Sequence, residues 1–376
     1  MIYLNKIALY NFRNYKQLEV HFDQRPTVLY GPNGAGKTNL LEAISLFAVG
    51  TGMRDAKLQD LVHSDTQTYD DTTYWAVNAM LDENITLSTG YQNRRIFKIQ
   101  GIPVKSAAKF HEYIQLVHIT PDMDHLFTNP ASDRRRFVDK LITSYDPLHA
   151  ENISIYEKAT HQRLKLLKAS SHQDNRWMDA LENIIARQNV KISNARITLM
   201  NKLIDGQKKH IPMFPKFLCK MVGKIEDILH DTTDGKGTII KERLKQNREI
   251  DRMSGMTVLG CHRSDFEVIH DANKRLAREC STGEQKILLI SIVLSFVHQK
   301  IESIDNSLVL LLDDVIARLD WRHRMVLFEQ IGSFNQNSDC AFVQTFFSGT
   351  DSNLFEPLKC AQLFEVKDAI VVQQNK

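Results

Sequence analysis

The segment Gly31-Pro32-Asn33-Gly34-Ala35-Gly36-Lys37-Thr38 constrains this 376-residue chain more than any other. It fits the pattern G-x-x-x-x-G-K-[ST]. A short apolar run, Thr27 to Tyr30, precedes it. Residues 37–49 follow, and there Leu40, Leu41, Ile44 and Phe47 fall on one side of a helix. Strand, glycine-rich turn and helix in that order form a cradle for phosphates. The glycines let backbone N–H groups turn inward, and the helix N-terminus adds the positive end of its dipole. In such a cradle Lys37 reaches the β- and γ-phosphates, and the Thr38 hydroxyl is placed to ligate Mg²⁺.

The surroundings predict an α/β protein. Leu18, Val20 and Phe22 alternate with Glu19, His21 and Asp23, the period of a half-buried strand. Short strands are also expected around 75–80, 85–88 and 96–99, making an antiparallel sheet. From about Pro121 to Asn247 the chain reads as mostly helical. Leu181, Ile185, Gln188, Ile192, Ala195 and Leu199 form a short heptad stripe, supported by Ile184 and Leu203, which suits a packed helical hairpin. Asp231 to Thr238 reads as a turn-rich loop. The expected partition is a head domain of residues 1–120 with 256–376, carrying an inserted, mainly helical domain of 121–255.

Charge and cysteine usage narrow the class. The net charge is only +3, but residues 151–250 carry 19 Lys+Arg against 12 Asp+Glu. A basic middle segment fits a polyanion partner, although a solvated helical face accounts for the charge equally well. Cys219, Cys261, Cys280, Cys340 and Cys360 show no zinc or redox spacing. Reduced thiols, a cytoplasmic location and no structural metal in the fold are expected. No apolar run approaches the ~18 residues of a membrane span.

Two further motifs carry chemistry. Leu308 to Leu312 is an apolar strand ending in Asp313 and Asp314. Asp313 is placed to hold Mg²⁺, directly or through water, and Asp314 to orient an attacking water as a base. Alternatively, the pair is a solvated acidic turn after a core strand. The third motif is Ser281-Thr282-Gly283-Glu284-Gln285, ahead of a helix over 286–298. It reads either as a phosphate site at a helix N-terminus or as a capping box of Ser281 with Glu284.

The order of these motifs, followed by Ala317-Arg318-Leu319-Asp320, is similar to that of ABC-type ATPase heads. Within that class the chain resembles the RecF family of bacterial recombination and gap-repair proteins over nearly its whole length. The resemblance includes Phe12-Arg13-Asn14-Tyr15, Gly52-Met53-Arg54, Pro121-Asp122, the run from Pro130 to Asp139 containing Arg134, Arg135 and Arg136, and Gly260-Cys261-His262-Arg263-Ser264-Asp265. It implies a fold of ABC-type head with P-loop, antiparallel sheet and helical insertion. It also implies ATP in preference to GTP, with Mg²⁺ as cofactor. Nucleotide contacts are then expected from Gly31, Pro32, Asn33, Gly34, Ala35, Gly36, Lys37, Thr38 and Arg13. In an ATP-dependent homodimer, Ser281, Gly283 and Gln285 would meet the nucleotide held by the other protomer, and Asp320 would support that contact. Expected partners are DNA at single-strand gaps and RecO- and RecR-like proteins that together load the RecA recombinase. Lys37 and Asp314 are the expected catalytic residues, and Thr38 and Asp313 the metal ligands.

The chain departs from the wider class in informative ways. Gln344-Thr345-Phe346-Phe347-Ser348 carries no switch histidine. Asp314 stands where a glutamate is usual, one methylene shorter, and no clear glutamine loop occurs near Pro121. Slow hydrolysis is the expectation. Three alternatives stand beside this reading. A transporter subunit is disfavoured by the missing histidine and the basic insert. A structural-maintenance head is disfavoured because only 243 residues separate Thr38 from Thr282, and most of them lack heptads. A non-catalytic module using ATP as dimer glue would tolerate Asp314→Asn. Phosphate contacts to DNA are expected from Arg134 to Arg136, Lys208, Lys209, Lys241, Arg243 and Lys245. The role of His262, Arg263 and Asp265 stays open between a salt bridge and ligand contact.

Overall fold

The computed structural model describes residues 2–63, 74–82, 84–169, 175–208, 211–231, 234–301, 307–335 and 342–374. Lys209 and Cys340 lie outside them. The chain divides into two compact units. The first comprises Met1–Asp124, Lys209–Phe214 and Val297–Lys376, and the second His125–Lys208 and Pro215–Phe296.

The first unit is built on two sheets. One is antiparallel, in the order β2-β1-β4-β5-β6-β7. Its strands are β1 (Leu4–Phe12), β2 (Tyr15–His21), β4 (Trp75–Leu81), β5 (Ile85–Gln92), β6 (Arg94–Ile99) and β7 (Ile102–Pro103). Leu9 of β1 faces Leu18 of β2 and Val77 of β4, so the alternation read from 18–23 does place one face inward. The other sheet runs β14-β13-β3-β12-β11-β8. It contains β3 (Thr27–Tyr30), β8 (Ile114–Ile119), β11 (Ser307–Leu312), β12 (Val343–Gly349), β13 (Gln362–Lys367) and β14 (Ile370–Gln374). All neighbours in it are parallel except β13 and β14. That explains the unbroken apolar run of β11, every residue of which is buried.

The two sheets share one core with helix α1 (Lys37–Ser45). Ile7, Val77, Leu87, Leu29, Leu311, Phe346 and Leu40 all belong to it. Gln344 joins the sheets through its buried amide, which accepts from Leu4 N–H at 2.8 Å and donates to Leu4 C=O at 2.9 Å. A buried amide with both ends matched costs little, and it fixes register where apolar contact alone would let strands slide.

In the second unit lie α2 (Ala131–Thr143), α3 (Leu148–Lys168), α4 (Asn175–Gly206), α5 (Lys224–Asp231), α6 (Lys236–Gln246), α7 (Arg248–Ser254) and the start of α8 (Thr282–Ile301). The heptad stripe buries Leu181, Ile185, Gln188, Ile192, Leu199 and Leu203 along α4, with Ala195 half-buried. The stretch expected to be mostly helical also contains a strand, β9 (Phe217–Val222). It pairs antiparallel with β10 (Asp265–His270). That pairing draws residues 256–296 into the helical unit rather than into the head where the motif order placed them. The expected loop ends early, since α6 begins at Lys236.

Polar groups hold this unit from inside. Arg163 is fully buried. It donates to Glu182 at 3.0 Å, to Asp251 at 2.6 Å and to the Leu244 carbonyl at 2.7 Å. Arg196 forks onto Asp139 at 2.8 Å through both Nε and Nη2, and donates to the Cys261 carbonyl at 2.7 Å.

Candidate functional site

The groups of interest in the first unit gather at the carboxyl ends of parallel strands. Gly31 follows β3, Asp313 follows β11, Thr120 follows β8, and Ser348 is the last residue but one of β12. In an open parallel sheet this edge is where ligands bind, because strand ends and helix N-termini open there together. A cavity of about 250 Å³ occupies it. It is lined by Gly34, Lys37, Thr38, Arg54, Asp313, Ser348 and their neighbours.

The loop backbone explains its glycines. Gly36 has φ of 118°, and a Cβ there would lie 2.5 Å from the Tyr15 hydroxyl and 2.6 Å from Asn14 Nδ2. Tyr15 is buried in the core, and Asn14 donates to the Ala35 carbonyl at 3.1 Å. The Gly36 position is therefore dictated by packing beneath the loop. Gly34 has φ of 80° with nothing within 4 Å of its built Cβ, and it faces the cavity.

The charged groups are paired through the chain itself. Lys37 Nζ donates to the carbonyls of Gly31 and Pro32, both at 2.7 Å. Burial pushes its pKa down, against the attraction of Asp314 and Asp313. A phosphate would reverse that balance by supplying the missing negative charge. Thr38 Oγ1 donates to Asp313 Oδ1 at 2.9 Å, and Ser348 Oγ donates to the same oxygen at 2.5 Å. Burial raises the Asp313 pKa, and these two hydroxyls oppose the rise. A buried carboxylate beside a threonine hydroxyl is a hard oxygen donor set of the kind Mg²⁺ takes, with phosphates and waters completing its shell. Thr38 and Asp313 thus fit the expected ion. Asp314 adopts φ of 52°, and its carboxylate accepts from Arg318 at 3.2 Å. Arg318 also pairs with Asp124.

Other expected contacts sit elsewhere. Arg13 donates twice to buried Glu42, at 2.9 Å each, and once to the Asp60 carbonyl, so it braces α1 and does not line the cavity. In the second unit, Ser281 N–H and Oγ both donate to Glu284, at 2.8 and 2.9 Å, which is the capping box at the start of α8. Gln285 is buried and donates to the Cys280 carbonyl at 2.9 Å. Gly283 has nothing within 4 Å of its built Cβ. Asp320 caps helix α9 (Trp321–Phe334) through His323 N–H at 3.0 Å.

The open question of His262, Arg263 and Asp265 has a structural answer for two of the three. His262 Nδ1 accepts from the Tyr156 hydroxyl at 2.5 Å, and its Nε2 donates to the Thr257 carbonyl at 2.9 Å. Asp265 takes a two-pronged ion pair from Arg134 at 2.7 and 2.8 Å. Arg263 stays exposed. Arg134 is therefore committed inside the unit, as is Arg135, which donates to the Ser264 carbonyl at 2.7 Å. Sequence reading missed Arg54 and Ser348 in the cavity. It also missed a stripe of exposed lysines on one face of α3, Lys158, Lys165 and Lys168, spaced i, i+7, i+10.

Comparison with known proteins fits this geometry. Residues 3–367 match the family model described as RecF/RecN/SMC N terminal domain. The DNA replication and repair protein RecF of Mesorhizobium japonicum is 36% identical over 369 residues, 95% of this chain and 93% of that protein. The chain belongs to the RecF family. RecF of Agrobacterium fabrum is 34% identical, covering 96% of both chains, and RecF of Rickettsia akari is 36% identical, covering 87% of this chain and 91% of its own. Among solved structures, the recombination mediator protein RecF-ATPrS in the RecFOR pathway has a TM-score of 0.83 at 24% identity, covering 100% of this chain and 98% of that one. The Pyrococcus furiosus Smc head has a TM-score of 0.53 at 14% identity, covering 100% of this chain and 97% of that one. The RecF relatives are named DNA replication and repair proteins, and the solved RecF and Smc head share this chain's fold. Among the described residues, no helix is long and apolar enough to cross a membrane.

Proposed function

We propose that this RecF-family chain binds ATP with Mg²⁺ in the cavity around Gly31 to Thr38. Lys37 holds the β- and γ-phosphates, Thr38 and Asp313 hold the ion, and Asp314 orients water for a slow hydrolysis. The bound ion would supply charge neutralisation between the phosphates. The residues of the chain do the rest: the loop N–H groups bind, Lys37 positions, and Asp314 holds the proton-accepting carboxylate. The observation that carries this reading is the convergence of Lys37, Thr38, Asp313 and Asp314 on one cavity at the ends of β3 and β11. A solved RecF in the RecFOR pathway is an ATP complex, which supports the choice of nucleotide.

In this reading the nucleotide is shared by a homodimer, with Ser281, Gly283 and Gln285 of one protomer facing the ATP of the other. Gln285 contributes through the turn it braces. The ATP-bound dimer engages gapped DNA in the cytoplasm and works with RecO- and RecR-like proteins to load the recombinase. Contact is to phosphates, through Lys158, Lys165 and Lys168 on α3, with Arg136, Lys241 and Arg243, rather than through the committed Arg134 and Arg135. The test is binding of a labelled gapped duplex with ATP and with ADP, over a range of salt. Tight binding with ATP alone, falling steeply as salt rises, is expected. Equal binding with either nucleotide, or a flat salt response, would refute the coupling or the phosphate contact respectively.

A further inference from the structure

Ser348 ends the stretch Gln344-Thr345-Phe346-Phe347-Ser348, which carries no switch histidine. It is buried near the end of β12, beside Phe347, which packs against Phe328 and Phe355 at centroid distances of 5.8 and 5.7 Å. Its hydroxyl has two tasks. It donates to Asp313 Oδ1 at 2.5 Å and accepts the Asp314 N–H at 2.9 Å. A hydroxyl has one proton, so the direction of this relay is fixed from Asp314 N–H through Ser348 to Asp313. Asp314 is held at φ of 52°, a left-handed conformation that aspartate tolerates better than most residues but that still costs free energy. The bond from its N–H to Ser348 fixes the peptide plane from which Asp314 projects its side chain toward the cavity.

We infer that Ser348 is the positioning residue for both acids: one hydroxyl fixes the carboxylate of Asp313 and locks the backbone that aims Asp314 at the reacting water. The inference rests on the nucleotide reading above. Ser348 acts through its neighbours and makes no bond to a reacting atom. Lys37 and the loop N–H groups do not depend on it, so it should control turnover while leaving nucleotide capture alone.

Ser348→Ala, Ser348→Thr and Lys37→Met should be compared with the native protein. The measurements are kcat and KM for ATP, the ATP dissociation constant in EDTA, and the melting temperature. Ser348→Ala should lower kcat roughly 10- to 100-fold, the span of one hydrogen bond to a charged group. KM and metal-free affinity should stay within about threefold, since the groups that grip phosphate are untouched. Ser348→Thr, which keeps the hydroxyl, should recover most of kcat. A kcat in Ser348→Ala within about threefold of native overturns the inference. So does an equal loss of metal-free affinity, or a threonine variant as slow as the alanine one. Native turnover no faster than that of Lys37→Met overturns the nucleotide reading itself, and the inference with it.

Discussion

The two inner glycines of the phosphate loop should fail in opposite ways when replaced by alanine. In Gly36→Ala the new Cβ meets the Tyr15 hydroxyl at 2.5 Å and Cζ at 2.8 Å, with Asn14 Nδ2 at 2.6 Å. Tyr15 is 1% exposed and belongs to the core, so it has no free direction to move. The backbone at φ of 118° costs an alanine about 1–3 kcal/mol. Overpacking against Tyr15 adds about 1–3 kcal/mol. Displacing Asn14 forfeits its bonds to Ala35 and Asn39, about 1 kcal/mol each. The total is roughly 4–8 kcal/mol, a large part of the ~5–15 kcal/mol that holds a domain. Gly34→Ala meets nothing within 4 Å and pays only the left-handed backbone, about 1–2 kcal/mol. Its methyl enters the cavity, so its loss should appear in ATP affinity. Urea unfolding checks the contrast, read by Trp75, which is buried against Phe12, in a background with Trp177 and Trp321 replaced by phenylalanine. If Gly36→Ala unfolds within ~1 kcal/mol of Gly34→Ala, the packing account of the loop is wrong.

Three further outcomes follow from the same contacts. Lys37→Met should cut ATP affinity about 100-fold or more in a filter or calorimetric assay, by removing charge-assisted bonds to two phosphates. Its unfolding free energy should stay within ~1 kcal/mol of native, because burial already disfavours the ammonium. Arg163→Ala should destabilise the helical unit by about 3–5 kcal/mol in urea. Among the described residues, fully buried Asp251 then keeps only the Val258 N–H as a side-chain partner, whereas Glu182 retains Arg248. Burial lowers the pKa of His262 below its ordinary 6.5. The unfolded chain then binds a proton that the folded one refuses, so stability is full above pH 6.5 and is lost as pH falls toward the folded value. Melting temperature between pH 7.5 and 5.5 should drop more in the native protein than in His262→Gln; equal drops would remove His262 from the account.

What the sequence disclosed was local. The strand, loop and helix from Thr27 to Ser45 follow from neighbouring residues, and so does the Ser281–Glu284 cap. The heptad along α4 is likewise a pattern within one element. What stayed hidden depends on partners far along the chain. Arg134 looks like a free phosphate ligand until Asp265, 131 residues later, accepts from it. The alternation of Phe217, Cys219 and Met221 with exposed Leu218 and Lys220 becomes a strand only because β10 arrives beside it. The same pairing moves the signature region out of the expected head. Ser348 carries no charge and no motif, and only its fold neighbours give it a task.

The site residues also bear on why hydrolysis should be slow. Lys37 is bound to two loop carbonyls, Thr38 to Asp313, and Asp314 to Arg318, which Asp124 shares. A phosphate must draw Lys37 off Gly31 and Pro32, and an ion must displace the hydroxyl proton that Thr38 donates to Asp313. Each exchange swaps one good bond for another, so net affinity grows less than the contact list suggests. The aspartate at 314 adds a second restraint. Its side chain is one methylene shorter than that of glutamate, and Arg318 holds the carboxylate in a charge pair. Only a rearrangement that moves Arg318 frees it. Arg318 lies in the same Ala317–Asp320 stretch that the dimer reading places near the partner, so assembly and release of the base would be one event, and turnover would be limited by how often two protomers meet.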